Sequence, residues 1–302
     1  MSRIHEALKK AALERDAHQG GRTQELVEIA GEKLTREATT EGRQNIPAKA
    51  VSATQTALPA DYEALLKKCQ RTLGRIDPRH SVFANESAEP GGAEKFRTLR
   101  SRLYQITATR PLKRILVTSS LPAEGKTFIA SNLAQSIIRQ ENRRVLLIDG
   151  DLRAPRLHQP FGAAAGPGLS DYLLGQCDEF QIIQTGDAPN LCLISAGQQV
   201  SNPSEILHSK TMETLLNRLS PLFDWVILDS PPAIAVHDSS LLADICDGVL
   251  FVVRAGQTDF EVAQDALEKF DEKKLIGVVL NRVSESDGYA SYYHAYPRPQ
   301  ED

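Results

Sequence analysis

Six short apolar runs punctuate the second two-thirds of the chain: ILVT at 115–118, VLLID at 145–149, LCLIS at 191–195, WVILD at 225–229, VLFVV at 249–253 and IGVVLN at 276–281. None alternates apolar with polar residues. Continuous Val/Ile/Leu runs are what strands need when both of their faces are covered, so a mostly parallel sheet is predicted. Helix-period stretches lie between the runs, which makes βαβ units. The expectation over 91–284 is therefore an α/β domain with a doubly wound, mostly parallel sheet and helices on both faces. A helical and disordered extension precedes it. In 2–16, SRIHEALKKAALERD, the residues Ile4, Leu8 and Ala11 or Ala12 fall on one helical face. This 1–16 amphipathic helix is either solvated or a docking helix for a partner. From 17 the chain is rich in Thr, Ala, Gly and Gln and poor in large apolar residues, which predicts a flexible linker to residue 90, with one short helix near 61–74. Residues 285–302 contain no Val, Leu, Ile or Met and read as a mobile tail.

Composition narrows this only a little. The 302 residues are 41% hydrophobic and 25% charged, with a formal net charge of −4, so nothing draws the chain toward nucleic acid. Four well-separated cysteines, Cys69, Cys177, Cys192 and Cys246, form no C-x-x-C pair and suit a reducing compartment. No apolar run approaches the roughly 20 residues that span a bilayer, so a cytoplasmic chain without a transmembrane segment is expected.

The chemistry begins after the first run. Ser119-Ser120-Leu121-Pro122-Ala123-Glu124-Gly125-Lys126-Thr127 stands between a predicted strand and the helical stretch FIASNLAQSIIRQ. That spacing is the phosphate-binding P-loop, in which backbone N–H groups and a helix N-terminus cradle phosphates. Lys126 is placed to reach the β- and γ-phosphates and Thr127 to ligate Mg²⁺. Ser120 occupies the position usual for the first glycine. The candidate ATP-binding set is Ser120, Pro122, Ala123, Glu124, Gly125, Lys126, Thr127 and Phe128. Two other strands end in acid: Asp229 before Ser230-Pro231-Pro232, in the manner of a Walker B, and Asp149 before Gly150-Asp151-Leu152-Arg153. Strand ends at the carboxyl edge of an open α/β sheet are where ligands bind. Asn281, closing the last run at that edge, is either a base-recognition residue or a turn former.

These motifs together resemble the bacterial tyrosine kinases of capsule and exopolysaccharide synthesis, the BY-kinases. SSLPAEGKT is similar to that family's P-x-E-G-K-[ST] Walker A, IDGDLR to its D-x-D-x-R Walker A′, and LDSPP at 228–232 to its Walker B. Glu94, Arg97 and Arg100 match its E-x-x-R-x-x-R ring-assembly helix. GLSDYLLG at 168–175, NPSEIL at 202–207 and DGVLFVVRAGQT at 247–258 are weaker similarities, and the whole covers about 90–283. Septum-site and chromosome-partition ATPases share the acidic elements but carry a further lysine where this chain has Leu121. A regulatory ATPase switch of that type is the alternative reading.

The resemblance implies ATP and Mg²⁺ as cofactors. It implies Thr127, Asp151 and Asp229 as metal ligands, and Lys126, Asp149, Asp151, Asp229 and Arg153 as catalytic residues. Asp149 is favoured to accept the tyrosine proton, and Arg153 to contact phosphate or a neighbouring subunit. Four of the seven tyrosines, Tyr289, Tyr292, Tyr293 and Tyr296, fall in the last fourteen residues. They are read as phosphoacceptors, modified between subunits of a homo-oligomeric ring. The implied partners are a membrane-anchored co-polymerase activator that recruits the chain to the inner face of the plasma membrane, and a cognate phosphotyrosine phosphatase.

Overall fold

The computed structural model describes residues 61–84 and 90–283. The predicted helix at 1–16, the stretch 17–60 and the tail with Tyr289, Tyr292, Tyr293 and Tyr296 lie outside the described residues.

Each of the six apolar runs forms a strand. In chain order they are β1 Arg114–Ser119, β2 Val145–Asp149, β4 Leu191–Ile194, β5 Trp225–Asp229, β6 Gly248–Arg254 and β7 Leu275–Asn281. A seventh strand, β3 Ile183–Gln184, pairs antiparallel with β4, whereas every other pairing is parallel. Two residues carry no legible period, which is why β3 escapes a pattern reading. The sheet order is β3-β4-β2-β5-β1-β6-β7. The described helices are α1 Tyr62–Leu66, α2 Pro90–Thr107, α3 Lys126–Ile138, α4 Leu169–Leu173, α5 Glu179–Ile182, α6 Pro203–Leu207, α7 Lys210–Leu219, α8 Asp238–Asp244 and α9 Phe260–Leu267.

Alternate residues of each strand point to opposite faces, so the apolar runs feed two cores. One holds Leu116, Ile148, Leu228 and Phe251 under α7, α8 and α9. The other holds Ile115, Val117, Leu147 and Val252 under Phe96 and Leu103 of α2 and Ile129, Leu133 and Ile137 of α3. Helices on both faces of a mostly parallel sheet are the doubly wound architecture that the pattern predicts.

The linker expectation is corrected for 61–84. This segment is a strap that starts in one core and finishes in the other. Asp61 caps α1 by accepting from the Ala64 N–H at 2.7 Å, and Tyr62 and Leu65 are buried beneath it. The helix stops at Leu66 rather than running to 74, and the backbone turns to the sheet edge. There Gln70 bridges Gln184 of β3, and the Leu73 N–H donates to the Thr185 carbonyl at 3.0 Å. Further on, the Ser81 hydroxyl donates to Gln135 Oε1 at 2.6 Å and the Val82 N–H to Asn132 Oδ1 at 2.9 Å. Phe83 then enters the second core against Phe96, 6.4 Å between ring centroids. The segment is polar on average, yet Tyr62, Leu65 and Phe83 are buried in the two cores, and Leu66, Cys69, Leu73, Ile76 and Val82 pack against them. It also covers the edge of β3, which otherwise presents unpaired backbone groups.

Leu65 is fully buried, so Leu65→Ala is expected to lower stability by roughly 2–4 kcal/mol. Urea unfolding of the full chain reads this as a drop in midpoint; a change within a few tenths of a kcal/mol, as for a loose linker, would contradict the strap.

Candidate nucleotide site

The site forms where β1, β2 and β5 end side by side. Parallel register aligns Asp149 of β2 with Asp229 of β5, and Val117 of β1 with the same Asp229. Adjacent strands lie roughly 4.8 Å apart, so two carboxylates are held close at neighbouring strand ends. Gly150 lets the two chains approach. Its N–H donates to the Asp229 carbonyl at 2.8 Å, and a Cβ there would come within 2.9 Å of that oxygen.

The loop after β1 turns on Ala123 (φ 64°) and Gly125 (φ 99°), both in the left-handed region. Only glycine fits at 125 on two counts: the backbone conformation, and a Cβ that would fall 2.1 Å from Asn281 Nδ2. α3 starts at Lys126 with no side-chain cap on its first turn, which leaves N–H groups free for an anion. Lys126 Nζ lies 3.1 Å from Asp151 Oδ2 and the Thr127 hydroxyl donates to Asp229 Oδ2 at 2.6 Å. The structure therefore brings Lys126, Thr127, Asp151 and Asp229 together.

Other predicted residues take different places. Asp149 is fully buried, and its two oxygens accept the N–H groups of Asp151 (3.1 Å) and Leu157 (3.0 Å). It fastens the acidic loop, while Asp151 alone of the pair faces Lys126. Glu124 is turned away from the phosphate cradle and buried. It accepts from the Leu121 N–H at 2.7 Å, the Arg254 N–H at 3.3 Å and the Thr258 hydroxyl. Asn281 Nδ2 donates to the Glu124 carbonyl at 2.8 Å, so its amide braces the P-loop rather than standing free for a base. Arg153 points to Asp238, 2.7 Å away, and not to the loop. Phe128 stacks edge-on with Phe96 at 6.0 Å and belongs to the packing of α2 on α3. On α2, Arg97 pairs with Glu94 at 3.1 Å at the surface, whereas Arg100 donates to the Ser136 carbonyl of α3. Leu121 is 38% exposed at the mouth of the loop, beside Pro122.

Burial of charge governs the electrostatics. Desolvation pushes the Asp149 carboxyl up to about 8, reinforced by the neighbouring charge of Asp229. Asp229 is likewise raised by desolvation, to about 6, with Lys126 and the Thr127 hydroxyl pulling against it. Desolvation works against the charge on Lys126 too, but attraction from Asp229, Asp151 and Asp149 outweighs it and holds the ammonium above its ordinary value. Asp229 Oδ1 and Ser120 Oγ are buried without a protein partner. An excess of carboxylate over ammonium, an orphaned carboxylate oxygen and an uncapped helix start fit a nucleotide phosphate with a divalent cation.

The chain matches the CobQ/CobB/MinD/ParA nucleotide-binding domain model over residues 115–298. It is 33% identical over 218 residues to the tyrosine-protein kinase YwqD of Bacillus subtilis, covering 71% of this chain and 92% of that one. The chain belongs to the bacterial tyrosine-protein kinases. The solved kinase domain of the Escherichia coli tyrosine kinase ETK superposes on this kinase with a TM-score of 0.61 at 30% identity, over 66% of this chain and 81% of that one. Some relatives are far longer: the succinoglycan biosynthesis transport protein ExoP of Rhizobium meliloti is 33% identical over 68% of this chain, which spans 28% of ExoP.

Sequence reasoning missed Thr258, which donates to Glu124, and Asp238 and Ser204, the partners of Arg153. Two signals were present: Thr258 ends the DGVLFVVRAGQT stretch and Ser204 lies in NPSEIL. Asp238 had none.

In the free kinase, the folded state holds protons on Asp149 and Asp229 that the unfolded chain releases near pH 4. Stability therefore declines as pH rises from about 4 through 8 and levels off above. A loss on the order of 1–3 kcal/mol between pH 6 and 8 is expected, read by urea midpoints without nucleotide. Asp149→Asn is expected to flatten this slope, and an unchanged slope would assign the titration elsewhere.

Proposed function

We propose that this kinase transfers the γ-phosphoryl group of ATP to the tyrosines of its own C-terminal segment, Tyr289, Tyr292, Tyr293 and Tyr296, between subunits of a ring. The modification would regulate exopolysaccharide or capsule synthesis or export. The observation that carries the reading is the convergence of Lys126 and Thr127, at an uncapped helix start, on Asp151 and Asp229. In phosphoryl transfer the protein positions the groups and balances charge, and does little covalent work. Released N–H groups of the first turn of α3 bind the phosphates, and Lys126 reaches the β- and γ-oxygens. Thr127, Asp151 and Asp229 would hold Mg²⁺, directly or through water. When bound, that ion supplies the positive charge that ionises the carboxylates and offsets charge on the transferred group. The tyrosine oxygen forms the new P–O bond, ADP departs, and the phenolic proton passes to a carboxylate. Asp149, with both buried oxygens accepting the N–H groups of Asp151 and Leu157, would hold the acidic loop during that step rather than take the proton itself.

The segment beyond Val283 begins at the carboxyl edge of the sheet, where the site lies. About fifteen extended residues reach roughly 50 Å, enough to enter a neighbour's site. On α2, Glu94 and Arg97 supply the surface face of the ring contact, and Arg100 anchors that helix to α3. The resemblance to the capsule kinases further supports a membrane-anchored activator, recruitment to the inner membrane face and a cognate phosphatase. Among the described residues no helix is long and apolar enough to cross a membrane. Leu121, in place of the lysine of partition ATPases, weighs against the switch alternative.

Incubating purified full chain with labelled ATP·Mg²⁺ is expected to label the four tail tyrosines. Lys126→Met is expected to abolish the label, and phosphate release without phosphotyrosine would establish the switch instead. Each phosphate adds about −1.5 to −2 charge, so phosphorylated protein is expected to have a lower mass by light scattering than dephosphorylated protein. Equal masses would refute phosphorylation-driven disassembly.

A further inference from the structure

Arg153 and Asp238 form the best-defined ion pair near the site that the phosphoryl-transfer scheme leaves unused. Asp238 has no exposed side-chain surface, and Arg153 meets it with both arms of the guanidinium: Nε to Oδ2 at 2.7 Å and Nη2 to Oδ1 at 3.2 Å. The Ser204 hydroxyl donates to the same Oδ1 at 2.5 Å and receives from Arg153 Nη2 at 3.1 Å. The hydrogen bond to Asp238 is the main cause of a raised Arg153 pKa. One buried carboxylate thus gathers three segments: the loop after β2, the start of α6, and the far end of the loop after β5.

Those two loops carry the acidic residues of the site. They are already joined at their roots, where the Gly150 N–H donates to the Asp229 carbonyl. The Arg153–Asp238 pair joins them again at their outer ends. Between the two ties lies Asp151, two residues before Arg153, with Oδ1 accepting the Ala154 N–H at 3.0 Å and Oδ2 facing Lys126. A planar guanidinium held by two bonds fixes the direction of its backbone as well as its position.

We infer that Asp238 is a positioning residue for the metal-binding face of the site: through Arg153 it fixes the loop that aims Asp151. The inference rests on the proposed function only in taking Asp151 as part of the Mg²⁺-holding set. Arg153 is then a link in the frame and touches neither phosphate nor a neighbouring subunit.

The test is Mg²⁺-dependent binding of a fluorescent ADP analogue to the full chain, which needs no phosphorylation and so stands whether or not the tail is the substrate. Partners one step removed from metal ligands commonly shift metal affinity by about 10–100-fold. Asp238→Asn keeps the volume and removes the charge. It is expected to raise the half-saturating Mg²⁺ concentration at least about tenfold, with nucleotide affinity in the absence of Mg²⁺ unchanged. Arg153→Lys, which offers one point contact in place of two, is expected to shift it in the same direction by a smaller factor. A variant that folds and shows the wild-type Mg²⁺ response overturns the inference, as does a lowered urea midpoint with an unmoved Mg²⁺ half-point. If Asp238→Asn does not fold, Arg153→Lys and Ser204→Ala, both at partly exposed residues, decide by the same readout.

Discussion

Three carboxylates, Asp149, Asp151 and Asp229, meet a single ammonium, Lys126, in a place from which water is almost excluded. Isolated burial of such charge is very costly. The structure tolerates it because parallel register puts the carboxylates at the ends of central strands, where N–H groups and the Thr127 hydroxyl can reach them. Even so, the balance is incomplete. Asp229 keeps one oxygen with no partner, and both strand-end carboxyls are driven toward protonation. A site in that condition has a strong physical preference for added positive charge. Nucleotide with a divalent cation would supply it while also using the free helix start.

The surroundings follow from the need to hold that arrangement still. Glu124, inside the P-loop, would repel phosphate if it faced the cradle. It is buried away from the cradle and gripped by Leu121, Arg254 and Thr258, so a carboxylate that could have opposed binding instead fixes the loop. Asn281 donates to the backbone carbonyl of Glu124 itself and leaves no room for a Cβ at Gly125. The acidic loops are framed in the same manner by Arg153, Asp238 and Ser204. In each case a polar side chain away from the ligand is hydrogen-bonded, with Glu124 and Asp238 buried, which is how satisfied polar groups rigidify a site rather than weaken the fold.

The strap extends this frame to the N-terminal side. Its hydrogen bonds to Asn132 and Gln135 end on α3, the helix whose first turn has no side-chain cap, and Phe83 meets Phe96 of α2. Residues 61–84 are thereby part of the support of the P-loop helix and of the helix that carries Glu94, Arg97 and Arg100.

The sequence alone determined the six parallel strands, the two-sided layering and the P-loop. Each depends on local information: a run of apolar residues is buried on both faces wherever its neighbours are, and a glycine-lysine-threonine turn between strand and helix binds phosphate by its own backbone. Asp149, Asp151 and Asp229 were likewise legible as acids at strand ends. Only the tertiary structure decided their division of labour, because which carboxylate faces Lys126 and which is consumed by backbone N–H groups depends on β2 lying beside β5, about eighty residues later in the chain. The burial of Glu124, the bracing by Asn281 and the pairing of Arg153 with Asp238 depend in the same way on partners 130, 157 and 85 residues away. The strap was hidden for the converse reason. Its average composition reads as solvent-exposed, and the few side chains that anchor it gain their stability from cores built elsewhere in the chain.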